Sequence, residues 1–284
     1  MSNLTDTELR DPYRLRYEVR GNSRNLDAAL LFLHGFMGSG RDWMETVEAL
    51  PESRCILVDL PGHGLSADCP VDFYPMPRVA LALFAVLDEL GVGQCIPVGY
   101  SMGGRLALYL ALTHPDRCRG VIVESGSPGL DSEEERDNRR KWDDSKASEL
   151  ERQGLDAFLE DWYWQPLFHS IRRNETRFAA LMERRRHNDM TGLARSLRLM
   201  GTGSQPSLWS QVSGVRFPWL AVAGELDPRY GKTLRDMVSL SEKGRLVTIP
   251  DAGHNTHFEN PEAFCRALRE FLHPTTPGFP HSRE

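Results

Sequence analysis

The sequence predicts an α/β fold: a mostly parallel central sheet with helices on both faces and a helical insertion. Three observations predict it. Short apolar, β-rich runs alternate with segments of helical periodicity, the pattern of βαβ units. Several of the runs are apolar throughout, as strands covered on both faces require. After Ser125 the alternation stops for a long charged and aromatic stretch, and it resumes only at Pro218. Taken in order, 13–19 alternates and carries charge, which suits an antiparallel edge strand. Strands follow at 29–33, 55–59, 95–99, 120–124, 218–223 and 245–249. Helices are expected at 76–90, 102–114, 231–241 and 261–272, where apolar residues recur at helical spacing. Between the strands, 131–152 is dense in both charge signs and reads as a solvated helix face. The aromatic stretch 158–168 and an Arg-rich helical segment ending near Arg198 complete an insertion at about 127–215. The organisation expected is a single domain over 12–273 with this insertion as a lid. The Pro-, Gly- and Thr-rich 274–284 reads as a disordered tail.

Composition narrows the function. The chain has 284 residues, 40% hydrophobic and 26% charged, enough to bury a sizeable core. Its 34 Lys and Arg against 40 Asp and Glu leave a net charge of -6, which argues against general nucleic-acid binding. Mean hydropathy is -0.43, and no apolar run approaches the roughly 20 residues that span a bilayer, so no membrane insertion is expected. The opening MSNLTDTELRDPYRLRYEVRG lacks the apolar centre of a signal peptide. Cys55, Cys69, Cys95, Cys118 and Cys265 are scattered without a CxxC pair, so neither a metal site nor a disulfide framework is expected. Reduced thiols and a cytoplasmic location follow. Oligomeric state leaves no mark in the pattern.

The strongest chemical signal is Gly99-Tyr100-Ser101-Met102-Gly103, a G-x-S-x-G that closes one expected strand and opens a helix. That is the context of a nucleophile elbow. So tight a turn needs small neighbours, which Gly99 and Gly103 supply. A serine hydroxyl alone is a weak base or nucleophile and needs a histidine and an acid. Asp227 falls just past one strand and His254 just past the next, both at the carboxyl edge of the sheet, in the order Ser, Asp, His. Glu225 and Asp251 compete for the acid. His257 competes with His254, but only His254 follows the Gly that lets the loop turn inwards. Gly35 in Leu33-His34-Gly35-Phe36 lets the backbone fold towards the elbow, so the N–H groups of Phe36 and Met102 converge as an oxyanion hole. His34 reads as a prop for that loop, and Asp59-Leu60-Pro61-Gly62-His63-Gly64 as a structural turn.

HGFMGS, DLPGHGLS, GYSMGG and DAGHN together resemble the α/β-hydrolase superfamily over essentially all of 12–273. Finer features resemble one family, the 2-succinyl-6-hydroxy-2,4-cyclohexadiene-1-carboxylate synthases of menaquinone and phylloquinone biosynthesis. They are Arg105 after the elbow, the stretch Val123–Leu130, Asp161-Trp162-Tyr163, the stretch Gly201–Trp209, and Asn255 after His254. The resemblance implies a lyase that eliminates pyruvate from an enolpyruvyl cyclohexene dicarboxylate bearing a succinyl arm. The triad then acts as a base, with no acyl-enzyme, metal or cofactor. The substrate is a small tricarboxylate anion, so this acidic protein must hold it with local cations. Arg105 lies one turn beyond Ser101 and is expected to face the pocket mouth. By resemblance Arg139 and Arg185 complete the carboxylate set, with Arg184 and Arg186 competing for the place of Arg185. Tyr100 and Trp162 would contact the substrate. Two other readings stay open: an esterase or carbon–carbon bond hydrolase with Ser101 as nucleophile, and a non-catalytic ligand receptor, which an intact triad argues against.

Overall fold

The computed structural model describes residues 13–21 and 29–274. Strands β1 (Tyr17–Arg20), β2 (Ala29–Leu33), β3 (Cys55–Val58), β4 (Cys95–Tyr100), β5 (Val121–Glu124), β6 (Trp219–Gly224) and β7 (Gly244–Ile249) form one sheet. Its order is β1-β3-β2-β4-β5-β6-β7. β1 pairs antiparallel with β3 at the edge, and every other pairing is parallel. The edge position explains why the opening stretch alternates, whereas β2, β3 and β6 are buried at every residue.

Three helices precede β5: α1 (Met44–Glu48), α2 (Met76–Glu89) and α3 (Met102–Thr113). Between β5 and β6 lie α4 (Glu133–Gln153), α5 (Leu155–Tyr163), α6 (Glu175–Arg185) and α7 (Met190–Met200). After β6 come α8 (Pro228–Ser239), α9 (Thr256–Glu259) and α10 (Pro261–Leu272). The period-2 alternation of β2 splits the core. Leu31 and Leu33 face a cluster built with α2, α3 and α8, through residues such as Leu83, Leu106 and Leu234. Leu30 and Phe32 face α1 and α10, through Val47, Phe264 and Leu268. The four helices between β5 and β6 share a third cluster, including Leu150, Phe158, Leu181 and Leu193, which Met37 ties to the sheet layer.

Two helices differ from the sequence reading in instructive ways. The helix expected at 231–241 begins at Pro228, because the Asp227 side chain accepts the Tyr230 N–H and Pro228 occupies the first turn. The charge-rich 131–152 is α4, started by a capping box in which Ser132 and Glu135 exchange side-chain and backbone hydrogen bonds. Its buried residues are Asp143, Ala147 and Leu150, so the solvated face has one charged exception. Among the described residues, no helix is long and apolar enough to cross a membrane. The five cysteines are buried free thiols. The tail expected at 274–284 lies outside the described residues, apart from Pro274.

Candidate active site

β4 ends at Tyr100 and α3 begins at Met102, leaving Ser101 alone in the turn. Its φ of 51° and ψ of -107° lie in a region that costs a non-glycine residue about 1–3 kcal/mol. The surroundings enforce it. The Ser101 N–H donates to the Glu124 carbonyl at 2.8 Å, and its carbonyl accepts from Arg105 at 3.0 Å. A Cβ on Gly99 would overlap the Gly103 carbonyl, and one on Gly103 would overlap the Leu33 carbonyl. The result is a serine held proud of the sheet edge at the head of a helix.

Ser101 Oγ lies 3.0 Å from His254 Nε2, and His254 Nδ1 lies 2.8 Å from Asp227 Oδ2. With Nδ1–H donating to the carboxylate, Nε2 is the free acceptor for the serine proton. Asp227 therefore serves twice, orienting His254 through one oxygen and capping α8 through the other. The competing residues are occupied elsewhere. Glu225 is exposed and accepts the Asp251 N–H at 3.1 Å. His257 turns its Nδ1 to Glu124 at 2.6 Å. His34 accepts the Leu60 N–H through Nε2 at 2.9 Å and donates from Nδ1 to the Gly35 carbonyl at 2.7 Å. Burial lowers its pKa to about 4, so it is a neutral prop for the Gly35–Phe36 loop. In the 59–64 turn, Asp59 accepts N–H groups from Gly40 and Leu65 at 2.7 and 2.8 Å, which is structural work.

Ser101 and His254 open onto a cavity of about 410 Å³ that Phe36 and Met102 also line. The Met102 N–H belongs to the first turn of α3, where no intrahelical acceptor exists and the helix dipole favours negative charge. Tyr100 is buried beneath the cavity, its ring 5.5 Å from that of His254 and 5.1 Å from that of His257. Burial, reinforced by Glu124, pushes its phenol well above the usual range, so it stays protonated. Trp162 packs on Phe36 at 5.0 Å and stacks on Phe158 at 5.5 Å, forming an apolar wall on the α5 side.

The three expected arginines all line this cavity, in unlike settings. Arg105 is only 7% exposed, so it sits in the wall and not at the mouth as its spacing suggested. Its Nη1 donates to Gln205 Oε1 at 3.1 Å and its Nη2 to the Met200 carbonyl at 2.9 Å. Both partners are uncharged. Burial lowers its pKa to about 10, with Arg139 adding to the fall and Tyr230 and Asp143 opposing it. Arg139 is partly exposed, lies 4.6 Å from the Trp142 ring centre, and gives Nε to Asp143 Oδ1 at 2.8 Å. Arg185 is buried and grips Asp42 with two bonds, Nη1 to Oδ1 at 3.1 Å and Nη2 to Oδ2 at 2.7 Å. Its Nε donates to the Tyr163 hydroxyl at 3.2 Å. Arg184 reaches Asp42 only at 3.8 Å and Arg186 pairs with Asp156, and neither lines the cavity.

Several lining or supporting residues escape sequence reasoning. Asp143 was hidden in a charge run, although its i,i+4 spacing from Arg139 is a usable signal. Asp42 lies far from Arg185 in sequence and left none. Arg229 and Tyr230 line the cavity, and the Tyr230 ring is 4.6 Å from that of His254. Their place directly after Asp227 could have suggested them. Among the described residues, no group of three or more His, Cys, Asp or Glu side chains is placed to hold a metal ion.

The parallel sheet, the serine on its strand-to-helix turn and the cavity above it are those of the alpha/beta hydrolase family, whose model matches residues 30–267; the chain belongs to that family. A narrower membership follows from its relatives. It is 35% identical to the 2-succinyl-6-hydroxy-2,4-cyclohexadiene-1-carboxylate synthase of Enterobacter sp. (strain 638), over 86% of this chain and 91% of the relative. A Bacillus subtilis (strain 168) protein carrying that name provisionally is 38% identical, over 91% of this chain and 95% of its own length. The solved structure of MenH from S. aureus matches with a TM-score of 0.85 at 30% identity, covering 90% of this chain and 97% of that one. A malate-bound thermophilic esterase from Thermogutta terrifontis matches with a TM-score of 0.78 at 27% identity, covering 91% and 92%. Within the alpha/beta hydrolases, the chain belongs to the family of 2-succinyl-6-hydroxy-2,4-cyclohexadiene-1-carboxylate synthases.

Proposed function

We propose that this chain is a carbon–oxygen lyase that eliminates pyruvate from 2-succinyl-5-enolpyruvyl-6-hydroxy-3-cyclohexene-1-carboxylate. The product is 2-succinyl-6-hydroxy-2,4-cyclohexadiene-1-carboxylate, a step of menaquinone or phylloquinone biosynthesis. The observation that carries it is Arg105: a buried guanidinium on the cavity wall, one turn from Ser101, with only uncharged partners. Asp143 is the nearby carboxylate, but it spends its hydrogen bond on Arg139, so a substrate carboxylate would be the first charged group bonded to Arg105.

Ser101, Asp227 and His254 form the triad. His254 takes the Ser101 proton, and Ser101 Oγ removes a ring proton from the substrate. The C2–H electron pair forms the C2=C3 double bond, the C3=C4 pair moves to C4=C5, and the C5–O bond to the enolpyruvyl group breaks. The leaving enolate takes the proton held by His254 and ketonises to pyruvate. No electron is gained or lost overall, and no cofactor takes part. The N–H groups of Phe36 and Met102 stabilise the enolate that develops as the proton leaves. Arg105, Arg139 and the N–H groups of Arg185 not used by Asp42 and Tyr163 hold the three carboxylates. Tyr100 and Trp162 bound the ring. The insertion at about 127–215 acts as the lid of a single domain spanning 12–273, and a reduced, cytoplasmic enzyme fits its buried thiols.

A second reading has one observation in its favour, the likeness to an esterase solved with malate bound. There Ser101 would attack a carbonyl and carry an acyl group. Incubation with the enolpyruvyl substrate separates the two. The lyase reading expects equimolar pyruvate and conjugated diene, with an intact mass at rapid quench that matches the unmodified chain. An adduct on Ser101, or no pyruvate, overturns it.

A further inference from the structure

The loop that carries His254 is held by carboxylates that the triad does not use. Glu259, the last residue of α9, folds back along its own helix. Its Oε2 accepts the Gly253 N–H at 2.9 Å and its Oε1 accepts the Asn255 N–H at 3.1 Å. Those are the two residues that flank His254. On the far side, Glu124 at the end of β5 is fully buried. Its Oε1 accepts the Thr256 hydroxyl at 2.7 Å and the His257 N–H at 3.0 Å, while Oε2 takes His257 Nδ1–H at 2.6 Å. The loop therefore has no freedom to slide. Its N–H groups before, after and beyond the histidine all end on fixed carboxylate oxygens, and these charge-assisted bonds are about twice as strong as neutral ones.

Glu259 folds back to the N-terminal end of its own one-turn helix, where its carboxylate takes the N–H of the N-cap residue Asn255 and that of Gly253 just before it. Gly253 also has no room for a side chain, because a Cβ there would overlap the Ser170 hydroxyl. Ser101 caps α3 just after β4 and Asp227 caps α8 just after β6, so the 3.0 and 2.8 Å contacts of His254 depend on where its own loop is held.

We propose that Glu259 is a positioning residue for His254. Gripping the peptide groups on both sides of the histidine, it sets the distance from Nε2 to Ser101, with the Glu124–His257 pair as the second anchor. The proposal rests on the reading of His254 as the proton carrier. A displacement of about 1 Å can cost on the order of a hundredfold in rate.

Steady-state kinetics and melting curves on Glu259→Gln, Glu259→Ala and His254→Ala test it, all at a temperature where each variant is folded. Glu259→Gln keeps one acceptor but turns an amide against the other N–H, so its loss should fall between wild type and Glu259→Ala. The expected result is a kcat lowered about 30- to 100-fold in Glu259→Ala with KM within about twofold. In the proton NMR spectrum, the low-field His254 Hδ1 signal, assigned by its absence in His254→Ala, should shift or broaden. A lowered melting temperature with unchanged kcat and an unmoved Hδ1 signal reduces Glu259 to a loop cap and overturns the proposal. If His254→Ala itself keeps its rate, the triad reading fails instead, and the two failures are told apart within one set of variants.

Discussion

Arg105 and Arg185 are buried arginines that line the same cavity, and their partners are of opposite kinds. Arg185 faces a carboxylate, Asp42, in a two-bond grip. Burial works against its charge, but Asp42 outweighs that and holds the guanidinium above its ordinary range. Arg105 faces an amide oxygen and a peptide carbonyl, and burial lowers its pKa to about 10. The difference separates a cation bonded to a carboxylate from one bonded only to uncharged acceptors. Counting cavity arginines would treat them as equals. Tracing each one's partners ranks them by the charge they are bonded to: Arg185 to Asp42 by two bonds, Arg139 to Asp143 by one, Arg105 to none, which is why the proposed function puts Arg105 on a substrate carboxylate.

The comparison has meaning only if the cavity is where chemistry occurs, and the triad tests that with the largest effect. Ser101→Ala and His254→Ala should each lower kcat by about three orders of magnitude or more. The double variant should be little worse than either, because groups that move one proton as a unit are not additive. Independent, multiplying losses would separate the two residues.

Next in size is the cost of breaking the paired arginine. Arg185→Ala leaves Asp42 buried without its counter-charge, a change worth about 3–5 kcal/mol of stability. Its melting temperature should fall clearly and further than that of Arg105→Ala, which leaves only two uncharged acceptors, Gln205 Oε1 and the Met200 carbonyl, without their donor. Equal melting temperatures would erase the distinction between wall and ligand site.

A smaller effect comes from the histidines beside that pair. Burial lowers the pKa of His34 to about 4 and of His63 to about 3. Both are neutral in the folded chain, while the unfolded chain takes up protons near pH 6.5. Stability is then complete above about pH 6.5 and declines as the pH falls towards 4 and below. Melting curves between pH 7 and 4.5 should show this slope, and His63→Gln should flatten it. A melt independent of pH over that window contradicts the assignment.

Much of this site could be read in advance because it is local. G-x-S-x-G needs only a strand, a turn and a helix, and the positions of Asp227 and His254 follow from strand ends. Long-range partners were illegible for a physical reason. Asp42 meets Arg185 only because α6 folds over the loop before α1, and nothing in either segment announces the other. Arg105 looked like a mouth residue, since spacing on α3 gives direction but not depth; α7 and the turn after it bury the side chain. Glu124 and Glu259 were similarly silent, because a carboxylate that grips peptide N–H groups looks in sequence like any surface acid.

The central claim is that Arg105 holds a carboxylate of the reacting substrate. It is tested most directly by kcat/KM for pyruvate release from the enolpyruvyl substrate in Arg105→Ala, with Arg105→Lys alongside. Loss of a charge-assisted contact in a partly dry cavity should cost about 2–4 kcal/mol, or roughly thirty- to a thousand-fold, and Lys should recover only part of it for want of the planar fork. A kcat/KM near wild type in Arg105→Ala would contradict the account and move the esterase reading ahead.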